Sequence, residues 1–334
     1  GYLNQDGIII NTGYKRYDFK TSLDVNLSDR ISVGFNLTPF FSTTDRVSQR
    51  NHKGDGIVAS AVIASPIYPV YDSLGNLAIS EMINYTLDVG GSGQVENPVA
   101  MALNTKDVRE DARLLGQVHM NINIIEGLDF TTRFGTDYKT RTEEYFRPSF
   151  IGSYQDPTPV ETVGRYETLK LINYLNENTL TFDRTINDNH NINILVGFTF
   201  QKERNEISDL TGLNFPNDNV QTLNAAQTIQ NGVTRVEEWS LLSYLSRVQY
   251  DYKDKYLISA SIRRDGSSRF GKNTKWGYFP SVSAGWRIGQ EAFMSSLNFV
   301  SALKIRGSYG LTGNFNIPNY GAVPLLDQDK YSFN

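Results

Sequence analysis

Several chemistries are absent from this sequence. The chain has 334 residues and no cysteine, so it can form no disulfide, zinc–thiolate site or thiol nucleophile. It has no apolar run of about 18 residues, which excludes a transmembrane helix. Its three histidines, His52, His119 and His190, match no zinc-site spacing. Its net charge of −4 offers no bulk attraction to nucleic acid. We therefore expect no metal, no cofactor and no nucleic-acid partner.

Recognisable catalytic arrangements are also missing. The glycine cluster Gly90–Gly93 is not followed by Lys-Ser/Thr, so it does not match a phosphate-binding loop. The acid pairs Glu143-Glu144 and Glu237-Glu238 are adjacent in sequence, and adjacent strand residues point to opposite faces. Neither pair can therefore act as a ready acid–base dyad. No Ser-His-Asp arrangement with supporting turn residues occurs, and we expect no enzyme activity.

What the sequence does contain is period-2 alternation of apolar and polar residues, the pattern of half-buried β-strands. The alternation predicts about ten to eleven strands, most of them 9 to 13 residues long. A soluble strand averages about 5 to 6 residues, whereas a tilted membrane-spanning strand needs about 9 to 11. The predicted fold is thus all-β and antiparallel, with strands long enough to cross a bilayer.

The connections between these strands alternate in length. Short turns are predicted near Ser28, Glu126, Asn187 and Asp254, with a somewhat longer connection at 289–300. Long connections are predicted at 42–111, 139–168, 202–237 and 264–275. Short periplasmic turns at one rim and long extracellular loops at the other are typical of an outer-membrane β-barrel.

Two long connections and two Asn-rich turns contain further signals. The apolar run 55–70 predicts a short helix that ends at Pro66, and 290–300 predicts another. The Asn-Asp-Asn runs at 187–189 and 217–219 are explained by turn chemistry, with calcium binding in the loops as the alternative.

Register and aromatic placement indicate which face would meet lipid. Pointing Phe19, Leu23 and Val25 outward keeps Lys20 and Asp24 out of hydrocarbon. Aromatic residues lie near both predicted rims, as in the two interfacial girdles of a barrel: Tyr250, Tyr252, Tyr256 and Trp286 at one, Trp276 and Tyr278 at the other.

Five stretches of the sequence resemble the SusC/RagA family of TonB-linked outer-membrane transporters. The most specific is ASIRRDGSSRFGKNTKWGYFPSVSAGWRI at Ala260–Ile288, followed by LKIRGSYGLTGN at Leu303–Asn314. Weaker matches are YLNQDGI at Tyr2–Ile8, PIYPVYD at Pro66–Asp72 and NYLNENTLTFDRT at Asn173–Thr185. Together the matches extend over essentially the whole chain.

The resemblance implies a plugged barrel of the 22-stranded kind. Residues 1–334 would form part of its wall and extracellular loops, with the plug domain and closing strands absent from this chain. The complete protein would reside in the outer membrane of a Gram-negative cell, in contact with its lipid. It would import oligosaccharides or peptides with a SusD-like surface lipoprotein, powered by TonB–ExbB–ExbD through the plug region.

Ligand contacts in such a transporter would come from the loops and the upper lumen. Aromatic faces stack on sugars, and Arg or Asp bonds hydroxyl groups or peptide ends. The candidate ligand-binding residues are Tyr145, Phe146, Tyr154, Arg165 and Tyr166 in one predicted loop, with Arg264 and Asp265 at the rim. Packing between loops is the alternative role. For the whole chain the alternatives are a soluble or surface-displayed carbohydrate-binding or adhesin module, and a siderophore or vitamin receptor.

Overall fold

The computed structural model of the chain describes residues 1–47, 56–64, 66, 69–79, 96–152, 159–295 and 299–324. All twelve strands in these ranges belong to one antiparallel sheet, and consecutive strands are neighbours except that β2 and β3 both pair with β4. This order confirms the predicted antiparallel wall. The strands are β1 (Tyr2–Asp6), β2 (Gly13–Asp18), β3 (Thr21–Ser28), β4 (Ile31–Asp45), β5 (Lys106–Ile125), β6 (Leu128–Arg147), β7 (Val163–Ile186), β8 (His190–Leu213), β9 (Thr228–Tyr252), β10 (Tyr256–Ser267), β11 (Trp276–Trp286) and β12 (Ile305–Gly310).

The additional strand arises from a proline. The run Tyr17–Leu27, predicted as one strand, is divided between β2 and β3, which keep one continuous register along β4. The interruption lies opposite Pro39, whose nitrogen has no hydrogen to donate to the ladder. The carbonyl of Pro39 still accepts from the Phe19 N–H at 3.1 Å. One missing donor therefore explains the break.

The central strands are longer than predicted. Strands β5 to β9 contain 20, 20, 24, 24 and 25 residues. At about 3.3 Å per residue this is roughly 65 to 80 Å of strand, more than twice the thickness of a hydrocarbon core of about 30 Å. The predicted loops 139–168 and 202–237 were too long, because β6 to β9 occupy much of both. Polar residues occupy both faces there, so the alternation disappears while the backbone ladder continues.

The short turns lie where the sequence predicts them. Asn187 and Asp188 have φ values of 51° and 53°, and Lys253 and Asp254 have 53° and 56°. Gly127, in the turn between β5 and β6, has φ of 80°. Consecutive left-handed residues give the turn twist that matches the twist of paired strands. These tight turns place the long connections together at the opposite end of the sheet.

The sheet has one apolar and one polar face. On β8 the apolar face carries five residues in alternate positions: Ile192, Ile194, Val196, Phe198 and Phe200. Their nine-residue span matches the about 9 to 11 residues of a membrane-spanning strand, and Lys202 and Arg204 follow on the same face. Phe19, Leu23 and Val25 lie opposite Pro39, Phe35 and Val33 of β4, on the apolar face, in agreement with the predicted outward register. We call these two sides the apolar face and the polar face.

Aromatic side chains border the apolar band at both ends. At the short-turn end, His190, Tyr252, Tyr256 and Trp286 lie directly opposite one another across four strands. Successive ring centroids along this row are 4.9, 6.3 and 6.4 Å apart. At the other end Tyr244 stacks on Trp276 at 6.2 Å. Both aromatic groups predicted from the sequence therefore contribute rings to the apolar face.

A carboxylate joins this aromatic row to the following connection. Glu291 lies between two 3-10 turns, Ile288–Gln290 and Ala292–Met294, which replace the short helix predicted there. Glu291 accepts from the Tyr256 hydroxyl at 2.8 Å and the Trp286 Nε1 at 3.1 Å. Lys255 Nζ donates to its other oxygen at 3.0 Å. These donors, with Tyr256 foremost, lower the pKa of Glu291 from 4.5 to about 2.

A small core forms among the long connections. Helix α1 (Ile57–Ile63) ends before Pro66 as predicted, and a second helix, α2 (Pro98–Asn104), was not predicted. Asn97 caps α2 and also donates to the carbonyls of two residues in the 70–78 segment. The buried apolar residues of this core are Val47, Ile57, Ala100, Met101, Ala102 and Ile151. No helix in the described ranges is long and apolar enough to cross a membrane.

A charge placed on the apolar face tests the orientation of the sheet. Val196→Arg is expected to destabilise the folded barrel by about 2–4 kcal/mol, because Val196 lies at the centre of the apolar band. Thr199→Arg, on the polar face of the same strand, is the matched control and should cost much less. The measurement is urea unfolding in phospholipid vesicles, followed by heat-modifiable gel migration. Equal costs for the two variants would contradict the assignment of faces.

The contacts of Glu291 should make stability depend on pH. A carboxyl group whose pKa falls on folding stabilises the fold above its unfolded value of 4.5, and this contribution disappears as the pH approaches 2. Glu291→Gln should therefore lower the free energy of unfolding at pH 7, and the difference from wild type should shrink between pH 4.5 and 2. Chemical unfolding at pH 7, 4 and 2.5 measures this. Asp254→Asn, at an exposed turn residue, is the control, and a pH-independent difference for Glu291→Gln would refute the prediction.

Candidate functional site: the polar face and the rim

The upper part of the polar face carries a lattice of opposite charges. Arg109 on β5 bonds Glu143 on β6 at 2.6 Å, and Asp111 bonds Arg141 at 2.8 Å. Arg46, just after β4, reaches the same Glu143 at 2.9 Å. Cross-strand pairs of this kind stabilise a sheet and fix its register. The lattice leaves the polar face rich in charge but locally balanced.

One predicted ligand residue, Arg165, extends this lattice, and another, Tyr145, lies beside it. Tyr145 and Arg165 lie on strands β6 and β7, directly opposite each other, not in a loop. Arg165 donates to Asp209 at 2.8 Å and to Glu167 at 2.8 Å. Because Glu167 and Asp209 face each other across the ladder, Arg165 offsets a like-charge pair. These contacts give Arg165 a structural role at the rim.

Two other predicted residues point to the opposite side of the same strands. Phe146 is only 2% exposed and packs edge-on against Phe215 at 5.2 Å. Tyr166 stays 36% exposed. A cavity of about 530 Å³, lined in part by Asn219 and Leu223, is nevertheless also lined by all four residues, Tyr145, Phe146, Arg165 and Tyr166. The structure thus brings these four together, at the rim and across both faces.

The two remaining rim residues are also on a strand. The loop between β10 and β11 begins at 268, so Arg264 and Asp265, predicted in the hairpin loop, are the last part of β10. Arg264 lies on the apolar face, 4.2 Å over the ring of Trp276. Asp265 lies on the polar face and bonds Arg263 at 2.7 Å. Tyr154 lies outside the described residues. The predicted set therefore does not face a single ligand site.

A polar-face cluster that was not predicted from the sequence surrounds Trp239. The indole is 7% exposed, and its Nε1 donates to Glu203 at 2.9 Å. Asn173 donates to the other oxygen of Glu203 at 2.8 Å. The guanidinium of Arg269 lies 4.7 Å over the Trp239 ring. The sequence contains a signal for this cluster, because the alternation of side chains along β9 places Trp239 on the polar face. The register of β8 and β9 then sets it opposite Glu203.

A larger concavity lies near the short-turn end of the polar face. Its volume is about 760 Å³. Its lining combines apolar groups with charged and hydroxyl or amide side chains, among them Asp183, Asn193, Asp251, Ser283, Lys304 and Arg306. Within the part of the chain that the structure describes, no group of three or more His, Asp or Glu side chains is arranged to hold a metal ion. The arrangement suits recognition by hydrogen bonds and charge.

Comparison with known proteins identifies this architecture. Residues 68–325 match the family model described as TonB dependent receptor-like, beta-barrel. TonB-dependent receptor P39 of Formosa agariphila is 32% identical over 335 residues, which cover 98% of this chain and 30% of that protein. TonB-dependent receptor SusC of Bacteroides thetaiotaomicron is 42% identical over 87 residues, 26% of this chain and 9% of that protein. The RagAB peptide transporter structure superposes with a TM-score of 0.84 at 24% identity, covering 100% of this chain and 37% of that chain.

The chain therefore belongs to the TonB-dependent receptor β-barrel family, and it is of the SusC/RagA type. It is a protein of the outer membrane, so the apolar face meets lipid and the polar face lines the lumen. The chain spans about a third of the length of the curated receptors that it matches over its whole extent.

Two neighbouring glutamates test the charge lattice. Glu143→Gln removes a carboxylate that bonds two arginines on the lumen face, and it should destabilise the barrel by about 1–3 kcal/mol. Glu144→Gln, whose partner Lys106 is solvent-exposed, should cost less than about 1 kcal/mol. Both are measured by urea unfolding. A larger loss for Glu144→Gln would show that the lattice does not stabilise the rim.

Proposed function

We propose that this chain forms part of the wall and extracellular loops of a TonB-dependent importer of oligosaccharides or peptides. The observation that carries the proposal is the likeness to SusC/RagA-type receptors along the whole chain, combined with a lumen face built from charge, amide and aromatic groups. Hydrogen-bonding and stacking groups of this kind recognise hydrophilic chains. A sealed or apolar channel would need a different lining.

The partners follow from the same proposal. A SusD-like lipoprotein covers the extracellular rim, where the long connections and their small core lie. A plug domain occupies the lumen and connects to TonB, and the concavity lined by Asp183, Asp251, Lys304 and Arg306 provides charged groups for its docking. The proton gradient of the inner membrane then powers release of ligand into the periplasm.

The other candidate functions have less support. A soluble carbohydrate-binding sandwich needs two packed sheets, whereas all described strands form a single sheet with an apolar outer band. A siderophore or vitamin receptor would share the barrel. No observation on the lumen face favours a chelated metal over a sugar or peptide.

Energised uptake tests the proposed function. Cells that express the transporter should accumulate fluorescent oligosaccharides or peptides, and deletion of its gene or of tonB should each abolish accumulation. Outer-membrane permeability to a small antibiotic is the control for leakage. Accumulation that survives both deletions would overturn the proposal.

A further inference from the structure

The segment after β12 crosses the lumen face of the upper barrel. Residues 311–324, which we call the strap, leave β11 after the Leu311 N–H donates to the Pro280 carbonyl at 3.0 Å. The strap then passes so close to Phe279 that a Cβ on Gly313 would lie 2.3 Å from its ring. A side chain at 313 would therefore force the Phe279 ring or the strap to move. The crossing brings the strap to the Trp239 cluster on β9.

One arginine holds the strap against that cluster. Arg269 donates to Asn319 Oδ1 at 2.8 Å, and its Nη1 reaches the Phe315 carbonyl at 3.4 Å and Asn316 Oδ1 at 3.2 Å. Its guanidinium lies 4.7 Å from the centre of the Trp239 ring and 5.6 Å from that of Phe315. Arg269 thus occupies an aromatic cleft while bonding the strap.

The charge of Arg269 is satisfied by neutral groups alone. Its hydrogen-bond partners are amide and carbonyl oxygens, and it forms no salt bridge with any described residue. A guanidinium bonded to carboxylates gains more than one bonded to neutral acceptors. A different cation at the same cleft could therefore be held more strongly.

Among the described residues, two carboxylates beside Trp239 accept hydrogen bonds only from neutral indole or amide donors. Glu203 is directly opposite Trp239 on β8, and Glu237 is two residues away on the same face of β9. Glu237 is bonded by Asn319 of the strap at 2.9 Å and loses that donor when the strap lifts. The Oδ1 atom of Asn205, opposite Glu237, is buried without a hydrogen-bond partner. An aromatic face with two carboxylates and an unpaired amide oxygen suits a cationic group, because a guanidinium or ammonium donates hydrogen bonds and accepts none.

We propose that Arg269 is an internal occupant of a cation site at Trp239, and that this site takes an arginine or lysine side chain of a peptide when the strap opens. The inference rests on the proposed import function and names its substrate class at this position. The aromatic face binds the cation through its quadrupole, and Glu203 and Glu237 add the charge-assisted bonds that Arg269 lacks. A neutral sugar would leave those carboxylates without a positive partner.

The strap is suited to exchange with a ligand. Its side chains are mostly exposed, including Leu311 at 50% and Val323 at 57%, and lifting it would uncover chiefly the Trp239 ring, on which Phe315 packs at 5.7 Å. The nearest lumen-facing cation on β9, Arg235, is exposed and lies two positions beyond Glu237 toward the rim. Among the described residues, the cation that lies over the Trp239 ring is therefore Arg269 and not Arg235.

Peptide binding to the complete transporter tests the proposal. The probes are fluorescent Gly-Gly-Arg-Gly-Gly and the same peptide with citrulline, which keeps the shape of arginine but loses its charge. Wild type should bind the arginine peptide about 10-fold more tightly, as expected for a desolvated cation–π contact with charged partners. Trp239→Ala and Glu237→Gln should each remove most of this preference. Arg235→Ala is the matched control and should retain it.

Removing the internal occupant gives the decisive reading. Arg269→Ala should tighten binding of the arginine peptide several-fold, because no side chain then competes for Trp239, while Arg269→Lys should stay near wild type. A merely structural Arg269 would predict weaker or unchanged binding. Equal affinity for the two peptides, or an unchanged preference in Trp239→Ala, would overturn the cation site. Heat-modifiable migration confirms folding of each variant.

These outcomes remain separate from those of the proposed import function. TonB-dependent uptake of oligosaccharides without peptide binding would reject the cation site and leave the import proposal standing. If wild-type cells show no TonB-dependent uptake of either probe, the import proposal is rejected instead. In that case preferential binding of the arginine peptide would still identify Trp239 as a cation-binding residue.

Discussion

The whole structure depends on one constraint, the complete pairing of backbone groups between neighbouring strands. Hydrocarbon offers no hydrogen bonds, so each N–H and C=O inside the membrane must find its partner on the next strand. Registers that run without interruption, such as the 24 residues of β7 against β8, satisfy this demand. The break opposite Pro39 shows how strict the ladder is, since a single missing donor divides one strand into two.

Much of this wall was predictable from the sequence, because contact with lipid on one face requires apolar and polar residues to alternate along each membrane-spanning strand. That alternation can be read from one sequence alone. The ladder places Phe19, Leu23 and Val25 on the apolar face as alternation requires, and the turns at Gly127 and Asp254 are where turn residues cluster. The ends of the strands were not predictable in the same way. Above the apolar band both faces meet water, so no periodic pattern marks where a strand stops.

The candidate site was harder to predict for a related physical reason. Arg165 and Tyr166 were expected in one loop, yet adjacent strand positions send them to opposite faces. Contacts between segments distant in sequence are invisible to local patterns, and Arg269 meets Trp239 through such a contact. Residue type showed that the rim is rich in aromatic and charged groups. Which of them face the lumen depends on register, and register was assigned only for the membrane-spanning part.

The length of the strands beyond the apolar band has a consequence for variation. On β8 the outward residues change from apolar to charged at Lys202, and the strand continues for another eleven residues to Leu213. Between the short turns and Lys202, lipid determines which outward side chains are tolerated. Beyond Lys202 the outward side chains meet water, which tolerates charged and polar residues. Outward substitutions can thus accumulate in the upper wall without disturbing insertion into the membrane. The same continuous strands therefore contain a lower part constrained by lipid and an upper part constrained only by water and by the ladder.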